Sequence, residues 1–130
     1  MAKTFAIIFG IAFVLVGVLG FVDNPLVGME GLFQTDTLHD LVHLLIGLVL
    51  LFVAYSNPAA SAKTILTFGV IYLLLAVLGF LMIPAGGELL GLVLMNTADH
   101  WLHVFLGVVL VVVGYATGNR AGSNIPGPSM

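Results

Sequence analysis

The chain has 130 residues, 61% of them hydrophobic and only 7% charged, with 3 Lys or Arg, 6 Asp or Glu and a net charge of −3. Soluble proteins average about half apolar and a quarter charged residues, so a soluble domain of this length could not cover so much apolar surface. No basic footprint for nucleic acid exists, and with no cysteine there is no disulfide, thiolate metal site or cysteine nucleophile.

The first apolar run, about Phe5 to Val22, is long enough to span a bilayer. Lys3 ahead of it imitates a secretion leader, but no A-x-A cleavage site stands before Asp23, and a later run repeats its pattern. The connection from Asp23 to Thr37 carries the breakers Pro25, Gly28 and Gly31 and the acids Asp23, Glu30 and Asp36. A second span starts at Thr37 or Leu38 and ends near Tyr55. Ser56-Asn57-Pro58 stops it, because proline lacks the N–H a helix needs and disfavours helix in the residue before it. A short loop with Lys63 leads to a third span, about Ile65 to Ile83, closed by Pro84-Ala85-Gly86-Gly87. Glu88 and an apolar patch, Leu89 to Met95, precede a fourth span, about Thr97 to Thr117. The tail, residues 119–130, is polar and rich in Gly and Pro, a composition that predicts flexibility.

The halves, about residues 5–57 and 64–118, resemble each other. Phe9-Gly10 matches Phe68-Gly69, Leu19-Gly20-Phe21 matches Leu78-Gly79-Phe80 and Pro25 matches Pro84, all at an offset of 59. From Gly31/Gly91 through Thr37/Thr97, His43/His103, Gly47/Gly107 and Tyr55/Tyr115 the offset is 60, which one inserted loop residue explains. This predicts an all-α membrane four-helix bundle, residues 1–118, made by tandem duplication of a helical hairpin. Two spans per repeat put both copies into the bilayer in the same direction, related by a pseudo-two-fold axis along the membrane normal. Lys3, Lys63 and Arg120 fall on one side of such a layout, so both termini are expected in the cytoplasm. Trp101 fits the interfacial belt on the outer side and Tyr55 and Tyr115 the belt on the inner side. Phe5, Phe9, Phe13 and Phe21 form an aromatic stripe read as lipid-facing or core.

The chemistry-bearing residues gather in two stretches, Asp36 to Gly47 (DTLHDLVHLLIG) and Asn96 to Gly107 (NTADHWLHVFLG), which hold all four histidines. Asp36 and Asn96 precede their helices and read as N-caps, with Asp99 placed for a capping box. His43 and His103 lie about 10 Å along their helices at 1.5 Å per residue, inside the hydrocarbon. Each has a glycine four residues on (Gly47, Gly107) and a small residue seven after that (Ala54, Gly114), a stripe that lets helix backbones approach closely. An ionisable residue on that stripe faces the bundle rather than lipid. One turn earlier the order of acid and base is swapped: His39-Asp40 in one copy, Asp99-His100 in the other. Spacings of three and four residues put each on a face shared with the inner histidine.

Three roles fit these clusters. The histidines and aspartates can tie helices together, as polar groups in membrane bundles do. His43 and His103, with His39 and His100, can ligate haem, a chlorin pigment or a transition metal. The Asp and His side chains can also form a proton or cation path, although they crowd one end and the first and third spans contribute none. No hydrolase, zincin, P-loop or di-iron signature is present.

Asn96-Thr97-Ala98-Asp99, Trp101-Leu102-His103 and Gly107, set in this layout, resemble an uncharacterised family of small bacterial four-span membrane proteins. The resemblance, a domain of unknown function, covers about residues 5–118 and implies a fold but no activity; His100 stands where that pattern has asparagine. The expectation is a non-enzymatic accessory or structural subunit of the bacterial cytoplasmic membrane, in contact with lipid and with other subunits or copies of itself. The alternative is a haem-, pigment- or metal-binding membrane protein.

Overall fold

Lipid offers the backbone no hydrogen bonds, so long apolar segments satisfy their own N–H and C=O groups as helices. The computed structural model describes residues 1–123, with side chains as far as Asn119. It contains α1 (Ala2–Leu19), α2 (Thr37–Ser56), α3 (Ser61–Met82) and α4 (Thr97–Ser123). All four are long and apolar enough to cross a membrane. Their outward faces carry large apolar side chains such as Leu15, Phe52, Leu81 and Phe105, all exposed. Such a surface suits hydrocarbon, which costs it nothing, and not water.

Helix ends differ from the hydropathy expectation by a few residues. α1 stops at Leu19 rather than Val22, because the Asn24 side chain folds back and donates to the Leu19 carbonyl at 2.7 Å. The same side chain accepts from the amides of Leu26 and Val27, both at 2.9 Å, and so organises the connection that follows. α4 continues beyond Thr117 to Ser123, while the rest of the expected flexible tail, residues 124–130, lies outside the described residues. A turn of 3-10 helix at Pro58–Ala60 links α2 to α3.

α1 packs on α2 and α3 on α4 as two close hairpins, and glycines set the distances. A Cβ added at Gly47 would lie 2.7 Å from the Gly10 carbonyl oxygen and the Val14 amide, and one at Gly114 would lie 2.7 Å from the Leu66 amide. At Gly107 it would lie 2.7 Å from the Leu73 side chain and 3.0 Å from the Leu73 amide. Backbones approach this closely only where no side chain intervenes. Phe13, Ile46, Leu50, Ile65, Tyr72 and Leu110 fill the centre between the hairpins.

The connections that read as irregular carry short strands. β1 (Val27–Gly28) pairs with β2 (Phe33–Gln34), and β3 (Gly87–Leu89) pairs antiparallel with β4 (Val93–Met95). The turn between β3 and β4 puts Leu90 at φ 56° and Gly91 at φ 70°, and only the glycine takes that conformation without strain. The two connections brace the opposite hairpins. Asp36 Oδ2 accepts from the Leu94 amide at 3.3 Å, and Asn96 Nδ2 donates to the Leu32 carbonyl at 2.8 Å. One end of the bundle, where α2 and α4 begin, is therefore held by backbone that crosses between halves.

Candidate metal centre

The two helix starts that carry the histidines are fixed by side-chain caps. The Asp36 carboxylate accepts from the His39 amide at 2.9 Å. At α4 the capping is reciprocal: Asn96 Oδ1 accepts from the Asp99 amide at 2.9 Å, and Asp99 Oδ2 accepts from the Asn96 amide at 2.8 Å. Two amides that would otherwise be orphaned at a buried helix end are satisfied this way.

One turn further in, His39, His43 and His103 converge, each offering a ring nitrogen within 4.8 Å of the others. All three are buried. The ring centres of His39 and His43 are 4.5 Å apart, and those of His39 and His103 are 6.1 Å apart. Phe13 stands 6.0 Å from His43, and Tyr72 stands edge-on to His103 at 5.0 Å, so aromatic walls from α1 and α3 fix the rings from behind. His39 Nδ1 is 2.8 Å from the Leu94 carbonyl oxygen, so that nitrogen carries the proton and donates, leaving Nε2 with its lone pair. His43 Nδ1 and His103 Nδ1 are buried without a hydrogen-bond partner. Orphaned polar atoms of this kind carry a desolvation cost, about 1–3 kcal/mol each, unless something satisfies them.

His100 does not join the cluster. Its Nε2 lies 2.8 Å from the Ile83 carbonyl, its ring meets Phe80 edge-on at 5.3 Å, and it packs on the backbone of Gly79. Asp40, its counterpart in the first half, packs in the same way on Gly20. Asp99, the counterpart of His39, faces inward and lines a cavity together with His43 and His103. That cavity, about 310 Å³, lies between α1 and α4 under β1 and β2. Sequence reasoning did not reach it, nor Tyr72 and Asn24, and it read Phe13 only within an aromatic stripe, lipid-facing or core. Only the packing of α1 and α3 brings Phe13 and Tyr72 to the histidines.

The arrangement suits a small ion. Tetrahedral imidazole nitrogens at about 2.0–2.1 Å from zinc stand about 3.4 Å from one another, so the widest separation would close by at most about 1.4 Å. Three imidazoles without thiolate match zinc, copper, iron or nickel, and not the hard cations that prefer oxygen.

No curated protein and no solved structure matches the chain. The family model described as Domain of unknown function (DUF4383) matches residues 3–116, nearly the whole of the four-helix unit. The chain belongs to that family.

Proposed function

We propose that this is a non-enzymatic protein of the bacterial cytoplasmic membrane that holds one transition-metal ion at His39, His43 and His103. The observation that carries the reading is the convergence of the three buried rings from two helices, each offering a nitrogen within 4.8 Å of the others. Supporting it, the Leu94 carbonyl fixes the tautomer of His39, the kind of outer hydrogen bond that metal-ligating histidines ordinarily make. Lys3, Lys63 and Arg120 on one side support a cytoplasmic location for both termini. Reporter fusions at residue 130 and near Lys63 should then read cytoplasmic and one near Gly28 external.

Elemental analysis of the detergent-purified protein tests the metal directly. The expected outcome is one zinc or copper ion per chain, lost on replacing any of the three histidines by alanine. Ligating imidazoles must be unprotonated, so protons compete with the ion and affinity should fall as the pH is lowered. His43→Ala and His103→Ala should also be coupled, the double variant differing from the sum of single losses by about 0.5–3 kcal/mol. Metal-free protein that takes up no added zinc or copper, with additive losses, would rule the centre out.

A second reading, an accessory subunit in which the histidines only hold the fold together, draws on the bonds of His39 to Leu94 and His100 to Ile83. It predicts the metal-free result.

A further inference from the structure

The cavity beside the histidines has a shape and lining that the metal does not use. Phe9, Ala12, Phe13 and Val16 form one wall on α1, and Leu102 and Leu106 form the other on α4. Val27 and Phe33 lie over it, and His43, His103 and Asp99 stand at its inner end. Ala12, which also lines it, is exposed on α1, one of the four helices of membrane-spanning length, so a molecule entering past it comes from the bilayer. At about 310 Å³ the cavity is at the lower end of small-molecule sites, which run from about 300 to 1,000 Å³.

We propose that this cavity binds a neutral, bilayer-dissolved ring compound bearing a carbonyl oxygen, of the quinone class, with the ring among Phe9, Phe13 and Phe33 and the oxygen toward His43 and His103. Three points select that chemistry. The wall is apolar with three aromatic side chains, which favour a flat ring by offset or edge contacts. The only polar lining groups are at the inner end, so one polar oxygen there is enough to orient the molecule. No Lys or Arg lines the cavity and Asp99 does, so the carboxylate of a fatty acid would find no counter-ion. An imidazole N–H can donate to a carbonyl oxygen whether or not a metal is near, so the inference stands apart from the metal reading.

The test uses menadione as probe on full-length protein in detergent micelles, stripped of metal with EDTA so that metal occupancy cannot enter the result. Equilibrium dialysis should show saturable uptake of one molecule per chain. Ala12→Phe and Leu106→Phe, which fill the cavity from opposite walls, should each weaken binding by about tenfold or more. Ile11→Phe adds the same bulk on α1 at an exposed residue outside the cavity and should bind as the unaltered protein does. Uptake that only tracks detergent concentration, or equal binding by all the variants, overturns the proposal. Displacement of menadione by decanol at similar concentration overturns the ring class in favour of an acyl chain. Protein that takes up no added zinc or copper and still binds menadione would sink the metal centre and leave this site standing.

Discussion

His39 and Asp99 occupy equivalent places in the two halves, as do Asp40 and His100, and in both pairs position decides the role. Both members of the first pair turn inward: His39 joins the cluster and Asp99 lines the cavity. The second turns onto a glycine of the preceding helix, Asp40 on Gly20 and His100 on Gly79. The opposite order of acid and base in the two halves therefore gives a centre with three imidazoles and one carboxylate nearby, where a shared order would give four imidazoles or two of each. In the metal assay His39→Ala should lose the ion, whereas His100→Ala should keep it. The latter should still lower the melting temperature, since it removes a hydrogen bond worth about 0.5–1.5 kcal/mol, although the Ile83 carbonyl keeps the Gly86 amide as a partner. Equal metal loss in both variants would contradict this division. The sequence placed the caps and the inner histidines where they stand, because caps follow from local chemistry and period. It did not separate His39 from His100, since spacings of three and four residues both satisfy a shared helix face, and only the packing against Gly79 chooses.

Among the helices, the spans were readable from hydropathy because nothing else in the chain competes with mainly apolar stretches of membrane-spanning length. Their ends were not. The early stop of α1 depends on Asn24 returning to Leu19, a contact set by the path of the loop rather than by any residue of the helix. The strand pairs were also missed, because strands of two or three residues leave no readable alternation. The glycine stripe was legible, and its consequence is measurable. Gly47→Leu and Gly107→Leu insert a side chain where a single Cβ already comes within 2.7 Å of a neighbour. Each should cost about 1–3 kcal/mol through overpacking. Leucine at Gly91, where nothing lies within 4 Å of an added Cβ, should instead act only through its positive φ. Thermal unfolding in detergent reads both effects, and unchanged melting for Gly47→Leu and Gly107→Leu would place these faces against lipid.

For the molecule as a whole, membrane insertion can be separated from assembly of the centre. α1–α2 and α3–α4 each close on themselves through glycine contacts, whereas the histidines, the cavity and the bracing bonds of Asp36 and Asn96 join one hairpin to the other. The covalent link between hairpins is the stretch around the turn Pro58–Ala60, on the far side of the bundle from the histidines. A short tether of this kind does not create contacts; it supplies an effective concentration of the order of millimolar. Chains 1–57 and 58–130, expressed together, should therefore co-purify. Their association should strengthen with zinc and weaken with His43→Ala, while failure to associate at any metal level would mean that the hairpins depend on the link for more than proximity. In this light the protein behaves as a pseudo-heterodimer within one polypeptide, and a metal ion would act on it as a subunit cross-link whose strength the cell could set through metal supply.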